Sequence, residues 1–371
     1  MRILHIMSLV GNGGIYTFVN NYYKQINNED VIFDFLCMRT ENQNTIDAIR
    51  GKRGNVFVIP LNSPHLFLIN FFKIFSFFIE NHNKYDIIHC HQTGTGFIYL
   101  FFAWLFRIPV RIAHSHNTIF SVNKYKAAFQ KLCTKIFLIF ATHNVACSNA
   151  AGEAMFGQKK WKKEGTLIKN AIDFDKFLFS SQKRSELRAE LGVSEDCKVI
   201  LYAGFISPIK NPYFLFDIFY TYQTRFPNTI LLMCGRNMMG NDISEYVEKL
   251  GISEKVRFLG PRADIGKFYS AADLLILPSF AEGLPFVVIE AQAAGLPCLL
   301  SDRITKEVAI LDTTILYPLE KSKQEWADLM TEMLSRGRKN GVKEKMKENG
   351  YELISASESF LQFYKRCIAK C

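Results

Sequence analysis

Residues 274–302 read LLILPSFAEGLPFVVIEAQAAGLPCLLSD. Leu274 to Leu277 is a short apolar run that ends at Pro278-Ser279, the pattern of a buried strand. A loop from Phe280 to Leu284 follows, then Pro285 and a helix-compatible run, Phe286 to Ala294, that stops at Gly295 with Pro297 just beyond. Proline at a helix start and glycine past its end are ordinary boundary signals. Glu282 thereby falls in the loop at the C-terminal end of a strand, and Glu290 falls inside the next helix. Ligands of open α/β sheets bind at that edge, where the N-terminus of a helix favours an anion. Two acids beside such an end suit a ligand with both hydroxyls and phosphates, such as a nucleotide sugar. The glutamates accept from hydroxyls while backbone N–H groups face the diphosphate.

The same strand–helix rhythm extends in both directions. Candidate strands are Ile3–Met7, Phe33–Cys37, Val56–Ile59, Ile87–Cys90, Val110–His114 and Asn144–Ala146, then Val199–Ala203, Ile230–Cys234, Val256–Leu259, Leu274–Leu277 and Pro297–Leu300. Helical stretches such as 15–26 and 213–222 lie between them. Alternation of this kind predicts α/β domains with doubly wound parallel sheets. A chain of 371 residues exceeds one ordinary core, so two domains are expected, residues 1–175 and 176–351. The polar stretch Asp173–Glu195 reads as the linker, and the terminal run Glu352–Ile368 as a packed helix.

Composition narrows the class. At 49% hydrophobic and 22% charged residues, the chain is globular rather than disordered. The N-terminus reads as a strand rather than a secretion signal, and nine cysteines without CxxC spacing read as reduced thiols, which together predict a cytoplasmic protein. Cys367 and Cys371 are a weak candidate for a redox pair or ligands. The net charge of +10 lies almost entirely in residues 1–185, so that half is expected to meet an anionic partner. The same half holds LFLINFFKIFSFFIE (66–80), with Phe67, Phe71, Phe72, Phe75, Phe77 and Phe78, and GFIYLFFAWLF (96–106). Both are too short to span a bilayer. They read as core helices, or as one helix surface lying in an anionic membrane interface with the cluster Lys159–Lys163 as anchor. No basic recognition helix stands out, which excludes nucleic acid as partner.

Other loops carry candidate chemistry. Gly11-Asn12-Gly13-Gly14 joins a strand to a helix and lets backbone approach a ligand. It departs from the dinucleotide fingerprint, and no acid follows the second strand where an adenosine ribose needs one. His114 and His116, in RIAHSHN (111–117), project to one side of a strand end, as do His89 and His91 at another. A zinc site on His114 and His116 wants a third ligand and none is spaced for it, although the four histidines at two strand ends are a possible metal site. The reading kept is polar cleft residues without a metal. Lys210 follows the strand Val199–Ala203 and is either an exposed loop lysine or a point charge for phosphate. Arg262 is either a loop cation or a second phosphate contact. Asp264 is placed to cap a helix and Asp273 to begin a strand.

Taken together, these segments resemble glycosyltransferase family 4. The E-x7-E of Glu282 and Glu290 inside PSFAEGLPFVVIEAQAAGLPCLLSD is similar to the family's donor motif. GNGGIYTF, RIAHSHNT, CSNAAGEAMFG (147–157), IKNAIDFDKF (168–177), SPIKN and FLGPRADI stand in the family's order over residues 1–300, and several weak signals agree. RIAHSHNT with EAQAAGLPCLLSD is most similar to bacterial capsular and exopolysaccharide enzymes.

The resemblance implies a GT-B fold, two Rossmann-like domains facing a cleft, with helix 352–371 packing back on the first. It implies transfer with retention from a nucleotide-diphosphate sugar, a UDP-sugar, to a glycan or lipid-linked acceptor in surface polysaccharide synthesis, with no metal or cofactor. It places Glu290 at the ribose, Glu282 at the sugar ring and Lys210 at the diphosphate. Gly13 and Gly14 close over the diphosphate, and Gly283, Leu284, Phe286 and Val287 line the donor site. His116 stands near the reacting carbon with His114 as runner-up, and His114 and Asn117 lie on the acceptor side. One position departs from the pattern. Family members carry arginine directly after the strand-end glycine, where this chain has Phe205, so the leaving group loses one cation unless Arg236 or Arg262 replaces it. A sugar-nucleotide epimerase of the same fold, and a non-catalytic nucleotide-sugar-binding partner, are the alternatives.

Overall fold

The computed structural model describes residues 1–26, 29–41, 43–60, 67–121 and 123–369; Cys371 and the side chain of Phe67 lie outside this set. Two units build the chain. The first holds Met1–Ala171 together with the C-terminal stretch from Leu353, and the second holds Ile172–Glu352. The division falls at 171/172 rather than 175/176, because Ile172 N–H donates to Tyr351 O and bridges Glu352, inside the second unit.

The first unit is a parallel sheet in the order β3-β2-β1-β4-β5-β6-β7. Its strands are β1 (Arg2–Val10), β2 (Ile32–Thr40), β3 (Val56–Val58), β4 (Ile87–Cys90), β5 (Val110–Ser115), β6 (His143–Ala146) and β7 (Gly165–Leu167). The apolar runs of β1, β2, β4 and β5 are buried almost throughout, as strands covered on both faces must be. The helix Gly14–Gln25 buries Tyr16, Phe18, Val19, Tyr22 and Tyr23. The C-terminal helix Leu353–Ala369 lies against it, with Phe360 4.7 Å from Tyr22 and 5.8 Å from Phe18, ring to ring.

The phenylalanine-rich segments form the helices Phe67–Asn81 and Ile98–Leu105. Phe102 is fully buried, with Phe71, Phe75 and Phe78 4.9–5.9 Å away. The outer side of the same pair exposes Leu68, Ile69, Phe72, Trp104 and Leu105. The core reading therefore holds for the inner side of the pair, and the outer side is exposed. In the lysine cluster, Trp161 is buried and donates to Asn149 Oδ1 at 3.0 Å, while its four lysines face water. Among the described residues no helix is long and apolar enough to cross a membrane.

The second unit is a parallel sheet in the order β10-β9-β8-β11-β12-β13. Its strands are β8 (Lys198–Ala203), β9 (Thr229–Cys234), β10 (Val256–Gly260), β11 (Leu274–Leu277), β12 (Cys298–Ser301) and β13 (Thr314–Tyr317). The stretch read as a linker is part of this unit. It contains the helix Ser181–Glu190, whose Leu187 and Arg188 are buried. Arg188 donates to the carbonyls of Ala271, Ser194, Glu195 and Cys197 and lies against Asp273. A charge satisfied in this way belongs to a core although its composition reads as surface.

In each sheet the chain reverses its direction of winding beside the first strand, between β1 and β4 and between β8 and β11. Crevices at the C-terminal ends of strands on either side of such a switch point are where open α/β sheets take ligands.

Candidate active site

At the switch point of the second sheet, the loops after β8 and β11 are joined by Phe280 N–H donating to Ile209 O at 2.8 Å. That junction brings Lys210 and Glu282, 72 residues apart, into an ion pair with each other. Ser279 Oγ also donates to Glu282 Oε1 at 3.1 Å. Both charged side chains are largely buried, at 17% and 12% exposure. The family resemblance implies the diphosphate for Lys210 and the sugar ring for Glu282; here each neutralises the other. A buried pair that is still touched by solvent is a reservoir of two charges that a ligand with phosphate and hydroxyl groups can divide.

The helix Phe286–Ala293 opens directly after this loop with Pro285 at its cap position and no side chain capping it. Its first internal bond is made by Val288 N–H to Pro285 O, so the opening turn, with Phe286 and Val287, keeps N–H groups of the kind that attract anions. Leu284 and Phe286 are buried and shape the loop, whereas Val287 is partly open.

Glu290, one turn further along, is 9% exposed and accepts a 2.7 Å hydrogen bond from Tyr269 Oη. Burial pushes its carboxyl up to about 7, opposed by the tyrosine. Tyr269 was not singled out from sequence; it lies in the helix Ile265–Ala271, and no local pattern marks it.

Arg262 is not aimed at this loop. Its guanidinium forms a two-pronged pair with Asp264 at 2.9 Å and lies over the Phe268 ring. Asp264 stands at the cap position of the helix Ile265–Ala271 but spends its carboxylate on Arg262 instead of the helix. Asp273 directs Oδ2 to Val199 N–H at 2.8 Å, opening β8 as well as β11. Phe205 follows Gly204 at the end of β8, and its carbonyl accepts from Tyr202 Oη at 2.7 Å. The neighbouring backbone is Arg236, whose carbonyl accepts from Ile206 N–H at 2.9 Å. Arg236 is thus the cation whose backbone lies beside the missing arginine's position. Gly235 allows this approach, since a Cβ there would stand 1.7 Å from Gly204 O.

In the first unit, Gly13 has φ +89° and begins the helix Gly14–Gln25, with its N–H donating to Asn12 Oδ1 at 2.7 Å. That positive φ is one a side chain rarely adopts.

Five histidines meet where β1, β4 and β5 lie side by side. His91 Nε2 is 3.0 Å from His5 Nδ1, and His91 Nδ1 is 2.9 Å from His116 Nε2. His89 Nε2 is 3.0 Å from His114 Nδ1, and His89 Nδ1 is 2.7 Å from Tyr364 Oη of the C-terminal helix. Burial holds His5, His89, His91 and His114 well below the usual histidine range and pulls His116 down to about 3. Two trios in this cluster are close enough to share an ion, but their nitrogens point at one another and the His114 and His116 rings stack 4.0 Å apart. His114, expected on the acceptor side, is fully buried. His116 is partly open, and Asn117 is exposed beside it. His5 joins the cluster only through the strand order.

Two family models match the chain: Glycosyltransferase Family 4 over residues 12–176 and Glycosyl transferases group 1 over residues 183–353. EpsF of Bacillus subtilis (strain 168), assigned as a glycosyltransferase, is 31% identical over 98% of this chain and 96% of its own length.

The chain belongs to glycosyltransferase family 4.

A second relative of this transferase is the Escherichia coli UDP-Gal:alpha-D-GlcNAc-diphosphoundecaprenol alpha-1,3-galactosyltransferase, 26% identical over 81% of this chain and 79% of the relative. The Anabaena protein Alr3699/HepE, solved with UDP and glucose, superposes with a TM-score of 0.76 at 18% identity, covering 98% of this chain and 99% of that one. Its fold is that of the transferase, GT-B, with two parallel-sheet α/β domains. The first family model spans Gly13, Gly14 and His116; the second spans Lys210, Glu282 and Glu290.

Proposed function

We propose that this transferase binds a UDP-sugar at the switch point of its second unit and passes the sugar, with retention at the anomeric carbon, to a lipid-linked saccharide or glycan in bacterial surface polysaccharide synthesis. The observation that carries the donor site is the buried Lys210–Glu282 pair beside an uncapped helix start, with Glu290 in the same helix. On binding, the diphosphate takes Lys210 and the N–H groups at Phe286 and Val287, and Glu282 is released to accept from sugar hydroxyls. Glu290, held by Tyr269, accepts from the ribose. Lys210 and the helix end then stabilise the charge that develops on the departing diphosphate, so a metal is not required. The acceptor hydroxyl enters on the face the diphosphate leaves and gives its proton to the departing phosphate oxygen.

The relative named for transfer of galactose from UDP-Gal to alpha-D-GlcNAc-diphosphoundecaprenol supports a lipid-linked acceptor, and so does the surface of the first unit. The helix Lys124–Phe137 turns Tyr125, Phe129, Leu132 and Ile136 outward, with Ile139 just beyond, all between 51% and 89% exposed. Their spacing makes one apolar stripe, and Lys124, Lys126, Lys131 and Lys135 stand exposed along it. That combination fits peripheral contact with an anionic bilayer, at the cytoplasmic face where nucleotide sugars are available. The stripe lies on a helix other than the phenylalanine-rich ones read from sequence.

A thermal-shift screen across UDP-sugars selects the donor by the stabilisation binding gives. Transfer to an undecaprenyl-diphosphate sugar then tests the site: Glu282→Ala abolishes it with the fold intact, and near-normal transfer by that variant refutes the assignment.

A further inference from the structure

Three histidines form a series with a fixed direction. His5 Nδ1 faces His91 Nε2, and His91 Nδ1 faces His116 Nε2, at 3.0 and 2.9 Å. Burial keeps all three rings neutral at pH 7. A neutral imidazole has one N–H and one bare nitrogen, and each of the two hydrogen bonds needs one of each. Only two arrangements satisfy both bonds: a proton on every Nδ1, or a proton on every Nε2.

The far end of the series chooses between them. His5 Nε2 is buried and has no hydrogen-bond partner. Phe33 and Phe35 lie tilted and stacked against the imidazole, and the one perpendicular ring beside it among the described residues, Tyr364, is 6.4 Å away between centroids, too far to receive an N–H. With protons on every Nε2, an N–H would be buried there without an acceptor. With protons on every Nδ1, only a bare nitrogen is buried, and orphaned N–H groups are the rarer and costlier case. The second series, Tyr364–His89–His114, runs separately and reaches His116 only by ring stacking.

We infer that His5 and His91 are positioning residues that fix His116 as the tautomer carrying its proton on Nδ1. The Nε2 lone pair of His116 is then occupied by His91, and the ring offers a ligand an N–H donor and no base. This rests on the reading of His116 as a residue at the reacting sugar. There it would donate to a sugar or acceptor oxygen, and the acceptor's proton has to leave by another route, as transfer to the departing phosphate provides.

The test is a two-bond proton–nitrogen correlation spectrum of the full chain, labelled with nitrogen-15 histidine at pH 7. The His116 signals are identified by their loss in His116→Gln. The expected spectrum has His116 Nδ1 as the protonated nitrogen and Nε2 as the bare one; the reverse pattern, or an averaged mixture, overturns the inference. In His91→Leu the constraint is removed. The Nε2-protonated form then grows and kcat falls, while the Kd for UDP is unchanged. A folded His91→Leu protein with the parent His116 pattern also overturns the inference, and if that variant does not fold the parent spectrum still decides. Full transfer by His116→Gln would defeat the placement of His116 at the sugar and leave the tautomer to be judged by the spectrum alone.

Discussion

Replacing Glu290 by glutamine should stabilise the second unit at alkaline pH while damaging donor binding. The Glu290 carboxyl is raised from 4.5 to about 7, chiefly by burial. A carboxyl whose folded value lies above its unfolded one is held in the protonated form by folding. Its contribution is fully present below pH 4.5 and is lost as pH rises through 7. Above that the folded chain carries a buried charge, and the shift corresponds to a cost of about 3 kcal/mol. Glu290→Gln removes the titration and keeps an oxygen for Tyr269 Oη, which donates at 2.7 Å. The new amide N–H needs an acceptor and offsets roughly 1–2 kcal/mol of the gain. The variant should therefore fall below its parent by about 1–2 kcal/mol at pH 4.5, and exceed it by about 1–2 kcal/mol at pH 8.5. Urea unfolding across that range measures this through Trp326, fully buried in the second unit. UDP affinity should fall at the same time, because the ribose loses a charged acceptor. A stability difference that does not change with pH would rule out a buried, raised Glu290 carboxyl, and undiminished UDP binding would remove Glu290 from the ribose.

Three further outcomes follow from the same geometry. Lys210→Met strands the Glu282 carboxylate, so we expect about 1–3 kcal/mol of lost stability in urea unfolding. Adding Glu282→Gln should restore that stability without restoring transfer, and equal stability of single and double variants would contradict the pairing. Phe205→Arg supplies the missing cation beside the leaving group, and kcat should rise about tenfold or more in the transfer assay; a fall would assign that charge to Arg236. Sedimentation with phosphatidylglycerol vesicles at low salt should carry the parent down and leave a Tyr125→Ser, Phe129→Ser, Leu132→Ser variant in solution, whereas equal sedimentation removes the stripe from the account.

The strands legible in sequence were those with long apolar runs: β1, β2, β8 and β9 are each extended by a residue or more, but stand where periodicity put them. The two strands that were missed, β7 and β13, are edge strands of three and four residues that are only partly buried, so they lack the fully buried run by which β4, β11 and β12, each of four residues, stand out. The helix Ser181–Glu190 was read as linker because its one deeply buried polar residue, Arg188, is satisfied by carbonyls from elsewhere in the unit. Glu282 and Glu290 were visible because their spacing is local. Their partners Lys210 and Tyr269 are set by strand order and helix packing, which no short window contains. The histidines show the same division. Alternation reveals His89 with His91 and His114 with His116, but only the adjacency of β1 and β4, which pairs His5 with His89 in register, adds His5 and gives the series its end.

The central claim is that the Lys210–Glu282–Glu290 site transfers a sugar with retention. It is tested most directly by proton NMR of the product formed from a UDP-α-sugar and an undecaprenyl-diphosphate acceptor, read in the first turnovers and in the presence of EDTA. The expected result is an α-linked product at an undiminished rate from the parent chain and none from Glu282→Ala. A β-linked product, loss of transfer with EDTA, or transfer by Glu282→Ala at the parent rate would contradict it.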